Sequence, residues 1–148
     1  HYATVRWRLA EGNSRHRARG GGRHVEVQVF GVRKSAQTRS ALRFFAERRV
    51  KVHFVDLTER PASAGELRRF AQRHGVEALI DRSSRRFVEL GLGHAVLSEE
   101  RWIEKLAAEP LLLRMPLSRW GQRVRVGEAD GQWKEWVATD RASGSGEG

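Results

Sequence analysis

The chain contains no cysteine. That absence excludes disulfides, thiolate-ligated zinc and thiol chemistry together. Proline is scarce, with three in 148 residues, so Pro61, Pro110 and Pro116 stand out as punctuation. Lysine is also sparse, and the basic charge is carried almost entirely by arginine. No apolar run approaches the ~18 residues of a membrane span. No apolar h-region follows the N-terminus, so a secretory signal is not expected. With neither feature and no cysteine, a cytoplasmic monomer is the simplest expectation. Gly-rich phosphate loops, zinc-ligand spacings and Ser-His-Asp patterns are missing as well. His53, His74 and His94 are scattered, without acidic neighbours in sequence, and read as structural. No metal is expected.

What the chain does have is length for one domain with a real core and a formal charge of +10. The charge is uneven. Residues 1–24 are Arg-, Gly- and His-rich, hold a net +5, and end at the triplet Gly20-Gly21-Gly22. They read as a disordered basic arm or a non-native extension. Residues 25–138 carry a net +6 and the apolar periodicity of a folded domain. From Thr139 the chain reads as a flexible tail rich in Gly and Ser. A basic surface favours acidic partners, nucleic acid included, although arginine-rich composition alone is weak evidence of one.

Along the domain, Val25, Val27 and Val29 alternate with polar residues and predict a strand. Ser35 is an N-cap candidate for a helix over Ala36–Arg49, with Leu42, Phe45 and Ala46 inward and Arg39, Arg43 and Glu47 outward. Val50–Leu57 alternates again. The spacing predicts a β-α-β unit with parallel strands. Ser63 and Glu66 form a capping box opening a helix through His74, which Gly75 ends. Short helical pieces follow over 76–97, and Ser98 opens a helix to about Ala108. Leu111–Trp120 and Gln122–Val126 read as a hairpin, and a last helix carries Trp133, Trp136 and Val137. The fold class is α/β: a thioredoxin-like four-stranded mixed sheet (β-α-β … β-β-α) with a helical insertion.

Three segments carry a resemblance to a known family. They are Phe30-Gly31-Val32-Arg33-Lys34-Ser35 running into the Arg39 helix, Glu66-Leu67-Arg68-Arg69-Phe70 with Glu89-Leu90-Gly91-Leu92, and Glu109-Pro110-Leu111-Leu112-Leu113-Arg114-Met115-Pro116-Leu117 closing on Val124-Arg125-Val126-Gly127. In these the chain resembles the ArsC/Spx family of arsenate reductases and Spx-type transcription regulators. The resemblance implies a reactive cysteine at the position of Ser35, a second one in Spx proteins at Thr38, and oxyanion-binding arginines at Ala64, Met115 and Val126. None is present. Arg114 and Arg125 sit one step away, and a one-residue offset on a strand turns a side chain to the opposite face. An engineered Cys-to-Ser replacement at position 35 would leave Thr38, Met115 and Val126 unexplained. The resemblance also implies a cis peptide before Pro116, facing the Ser35 corner.

A serine hydroxyl without a base cannot replace a thiolate, and it cannot exchange disulfides. His53, on the next strand, is the one imidazole that could approach it. The leading expectation is therefore a non-catalytic member that binds a protein or small anion at the Ser35–Pro116 corner. The candidate ligand-binding residues are Lys34, Ser35, Gln37, Thr38, Arg39, Arg114 and Pro116, with no catalytic residue. One alternative is a glutathione-dependent oxidoreductase in which glutathione supplies the thiol. Another is a nucleic-acid-associated regulator using the basic arm and the ridge Arg68/Arg69 and Arg85/Arg86. Trp120, beside the hairpin turn, is the tryptophan expected to be exposed.

Overall fold

A computed structural model describes the backbone of residues 26–147 and side chains through Ala142. Val25 and the arm over 1–24 lie outside the described residues. The elements are β1 (Glu26–Gly31), α1 (Ala36–Glu47), β2 (Lys51–Asp56), α2 (Ala64–His74), α3 (Arg85–Glu89), α4 (Glu99–Ala108), β3 (Leu117–Trp120), β4 (Arg123–Val126) and α5 (Asp130–Glu147). Short 3-10 turns at Val76–Leu79, Leu92–His94 and Pro110–Leu112 join the middle helices. The sheet order is β2-β1-β3-β4. β1 runs parallel to β2 and antiparallel to β3, and β3 pairs antiparallel with β4. This is the expected mixed sheet, with α2–α4 as the insertion between its halves.

Strand alternation divides the interior in two. Val27 and Val29 of β1 face a cluster with Phe44 and Phe45 of α1 and Trp133 and Trp136 of α5. Phe30 faces the other cluster, with Leu67 and Phe70 of α2, Phe87 of α3 and Trp102, Ile103 and Leu106 of α4. Period 2 in the strand thus serves two helical layers whose apolar stripes follow period 3.6. Trp120, expected outside, is buried. It packs edge-on to Phe45 and Trp136 with centroids 6.2 and 6.4 Å apart. Its place at the end of β3 brings it under α5, a contact remote in sequence. Trp133 is fully buried and its indole N–H donates to Ser118 Oγ at 2.9 Å, which satisfies both polar groups.

Several boundaries move. The buried stripe of α1 is Thr38, Ala41, Phe44 and Phe45, whereas Ala46 is exposed. Small Thr38 and Ala41 let the helix lie close on the sheet, so the inward face turns away from Ala46. The helix stops at Glu47 because Arg49 turns to φ 60 and Val50 N–H closes back on Phe45 O at 2.9 Å. The predicted strand from Leu111 shortens to Leu117–Trp120 because Pro110–Leu112 forms a 3-10 turn. The hairpin turn is Gly121-Gln122, with Gly121 at φ 65 as a two-residue turn requires. The helical backbone of α5 runs on to Glu147, past residue 139 where the sequence suggested a tail. Arg141 Nη2 donates to Arg48 O at 2.7 Å and ties that helix to the end of α1.

Half of the arginine ridge of the insertion is neutralised. Arg68 forks onto Glu100 at 2.6 and 3.2 Å and Arg86 onto Glu109 at 2.8 and 3.3 Å, and beside the ridge Arg82 pairs with Glu77. Glu100 and Glu109 lie on other elements, so a reading by segment misses them.

Two outcomes follow. A Cβ on Gly31 would stand 2.7 Å from Thr38 Cγ2, so Gly31→Ala is expected to destabilise by about 2 kcal/mol. Thr38→Ala in the same chain should restore most of that loss; denaturant unfolding of both variants measures it, and no rescue refutes the contact. The hydrogen-bonded arginines hold the carboxyls of Glu77, Glu100 and Glu109 below their usual range. Their contribution is complete above the ordinary carboxylate pKa and is lost as pH falls through the depressed values. The melting temperature should therefore fall between about pH 5 and about pH 3, and less steeply in an Arg68→Gln/Arg82→Gln/Arg86→Gln variant. An acid limb of equal steepness in the variant refutes the assignment.

Candidate functional site

The corner between β1 and α1 is built by local chemistry. Ser35 has extended backbone (φ −77, ψ 120) and its Oγ accepts the Thr38 N–H at 3.1 Å. Ser35 N–H donates to Val32 O at 3.0 Å, closing the turn. The serine is thus the N-cap of a twelve-residue helix. A cap of this kind contributes ~1 kcal/mol. Thr38 is completely buried against Gly31, and its Oγ1 has no hydrogen-bond partner among the described residues.

Ser35 opens onto a groove of about 930 Å³ between this corner, the start of α3 and the segment before β3. Lys34, Ser35, Ala36 and Gln37 line one wall. Asp81, Ser83, Ser84, Arg85, Arg86 and Glu89 line another, and Val32, Leu111, Leu113, Arg114 and Met115 complete it with Gly127 and Glu128. The Met115–Pro116 peptide is cis, as the resemblance implied. Met115 reaches the groove, while the Pro116 side chain is buried and its carbonyl accepts Gly127 N–H at 2.8 Å.

Four of the candidates from sequence therefore meet: Lys34, Ser35, Gln37 and Arg114. Thr38, Arg39 and Pro116 are not in the lining. The Thr38 N–H is committed to Ser35, and Arg39 Nη1 turns back to Arg33 O at 2.6 Å. Arg114 was expected to point away by strand parity. Residues 114–116 are not strand, so that parity does not apply. Its stem crosses Gly127, where a Cβ would come within 3.3 Å of Cδ, and its guanidinium donates to Ala78 O at 3.1 Å and Ile80 O at 3.4 Å. Arg125 remains in β4 opposite Ser118, outside the groove.

Arg85 and Arg86 are lining cations that the sequence did not single out for this site; Arg85 is the one without an ion pair among the described residues. It reaches the groove because Ser84 caps α3, accepting Phe87 N–H at 3.1 Å, and Leu113 bridges Ile80 to dock that segment. Among the described residues neither Lys34 nor Arg85 makes an ion pair, whereas Arg86 is held by Glu89 and Glu109. Of the three positions where the resemblance placed arginines, Met115 alone lines the groove; Ala64 begins α2 and Val126 ends β4. His53 pairs with Gln28 in mid-sheet and lines a separate cleft with Glu26, Arg119 and Gly121. It is therefore not the base that would activate Ser35. Burial and the nearby Arg69 push the Arg119 guanidinium down from its ordinary pKa. No group of His, Asp and Glu able to hold a metal occurs among the described residues. No helix there is long and apolar enough to cross a membrane.

The overall fold has counterparts in known proteins. The chain is 26% identical to YusI of Bacillus subtilis over 115 residues, which is 75% of this chain and 98% of YusI. Its fold is similar to that of an arsenate reductase from Vibrio cholerae, with a TM-score of 0.67 at 23% identity over 76% of this chain and 98% of that one. The YffB protein is similar too, with a TM-score of 0.69 at 24% identity over 74% and 96% of the two chains. Such structural likeness establishes the fold. The family model described as "ArsC family" matches residues 30–136, most of the chain, and the protein belongs to the ArsC family.

Proposed function

We propose that this protein is a non-reducing ArsC-family member that works by recognition, holding a small anion or the anionic end of a protein partner in the groove at Ser35. The observation that carries this reading is the state of Ser35. At the corner where the resemblance implies the family's nucleophile, the Ser35 oxygen accepts a backbone N–H as a helix cap, and His53 lies in another cleft. No imidazole lines the groove to make that hydroxyl a nucleophile, and no cysteine elsewhere can substitute.

What remains suits binding. Lys34 and Arg85 line the groove without carboxylate ion pairs among the described residues, and Ala36 and Gln37, at the N-terminal end of α1, line it as well. Such a helix end favours negative charge. Ser83, Ser84 and Gln37 add neutral hydrogen-bonding groups. Glutathione, which carries carboxylates and a thiol, falls within the same ligand chemistry and needs no reaction to bind there.

Amide NMR titration with arsenate, sulfate and glutathione tests the reading. Shifts are expected at Lys34, Gln37 and Arg85 and are expected to disappear in Lys34→Gln/Arg85→Gln. Unmoved resonances at ten millimolar of every ligand would remove the small-anion site. Arsenate turnover with glutathione and glutaredoxin is expected to equal the reagents alone, and turnover above that level overturns the non-reducing assignment. Ser35→Cys should place a thiol with pKa below ~8.5 at the helix end, read by thiolate absorbance. Reductase activity is not expected from this variant, because Ala64, Met115 and Val126 offer no guanidinium.

A further inference from the structure

The positive charge of the domain is concentrated rather than spread. Residues 33–51 hold seven cations against the single carboxylate of Glu47, a net of +6. That equals the entire net charge of residues 25–138, so the rest of the domain is neutral. Ion pairing accounts for part of the division; Arg69, Arg73, Arg85 and Arg101 of the insertion make no ion pair among the described residues. Arg68, Arg82 and Arg86 of the insertion are clamped on Glu100, Glu77 and Glu109. On the α1 side, the ion pair that forms among described residues is Arg48–Glu47, at a loose 3.9 Å.

The unpaired cations also share a surface. Arg39 and Arg43 are one turn apart on the exposed side of α1. The hydrogen bond from Arg39 Nη1 to Arg33 O joins the preceding loop to that stripe, and Arg49 continues it past the helix end. At the N-terminal end this placement opposes local helix electrostatics. No acid occupies the first turn of α1, although the helix dipole favours one there; at the other end the C-cap Arg48 donates to Phe44 O at 3.0 Å, the favourable sense. Three cations, Arg33, Lys34 and Arg39, instead crowd the positive end. A local rule broken without local compensation marks a surface shaped for something outside the chain.

We infer that the exposed face of α1, from Arg33 through Arg39 and Arg43 to Arg49, is a docking surface for the phosphate backbone of a nucleic acid. Charge complementarity selects the occupant. Guanidinium groups make forked hydrogen bonds to phosphate oxygens, and backbone contacts need no apolar anchor. A protein interface or a bilayer surface draws on buried aromatic or aliphatic side chains. Among the described residues the exposed large apolar ones are Val88, Val96 and Leu111, none of them on α1. The outward residues between the arginines are small or polar: Ala36, Gln37, Ser40 and Ala46. The surface differs from the Arg68/Arg69 and Arg85/Arg86 ridge and does not depend on the groove reading.

Fluorescence anisotropy with a labelled 20-base-pair DNA duplex and a single-stranded RNA of mixed sequence tests this on the full chain. Binding is expected at 50 mM salt, weakening roughly a hundredfold by 200 mM if about four phosphates are neutralised. Arg39→Gln/Arg43→Gln should weaken binding and reduce the salt slope by about two, with the far-ultraviolet circular dichroism unchanged. Arg73→Gln/Arg101→Gln removes the same charge elsewhere and should leave the slope nearly intact. Absent binding at 50 mM salt overturns the inference. So does binding that survives the α1 substitutions but is lost in Arg15→Gln/Arg17→Gln/Arg19→Gln. Equal or tighter association with polyglutamate, or with phosphatidylserine vesicles, assigns the face to another class of partner and also overturns it.

Discussion

The contact between Gly31 and Thr38 governs the geometry of everything nearby. β1 must hand the chain to α1 within four residues, and α1 must lie close on the sheet. A side chain at 31 would strike Thr38, so the missing Cβ sets the spacing between strand and helix. With that spacing fixed, Ser35 caps the helix, Phe44 and Phe45 reach Trp133, and Lys34 is held at the rim of the groove. The buried Thr38 hydroxyl remains without a hydrogen bond among described residues, a cost accepted at this corner.

Charge follows from packing as much as from composition. The insertion and the α1 side are both arginine-rich, yet they differ electrostatically. α2, α3 and α4 pack on one another, so acids from one element meet arginines of the next, as Glu100 meets Arg68. α1 packs against the sheet and α5 through aromatic residues, and apart from the loose Arg48–Glu47 contact its outer arginines meet no carboxylate among the described residues. Arg48 lies instead over the Phe44 ring, 3.7 Å from its centroid, and donates to Phe44 O. The groove lies at the boundary of these two regimes, with Arg86 paired and Arg85 and Lys34 unpaired.

The order of strands and helices was legible because its signals are local. Alternation marks β1 and β2, the Ser63–Glu66 box marks α2 and Ser98 marks α4, and each signal acts within one or two turns of chain. Errors arose where distant residues decide. The inward face of α1 depends on how closely Thr38 and Ala41 approach the sheet. Trp120 is covered by a helix that begins ten residues later. Arg114 lies on irregular chain rather than a strand, so parity gave it the wrong side. The candidate site was half legible: Lys34, Ser35 and Gln37 are neighbours in sequence, but Arg85 enters only when the insertion folds back.

The sequence alone determined that the chain has no cysteine, that the residue at the strand-to-helix corner is serine, and that arginine dominates the charge. These are matters of residue identity and short-range periodicity. Tertiary structure alone decided which arginines are neutralised, that His53 and Ser35 face different clefts, and that the segment from Arg85 closes the groove. The physical reason is range: capping and alternation act over a few residues, whereas ion pairing and groove walls require elements separated by tens of residues to meet.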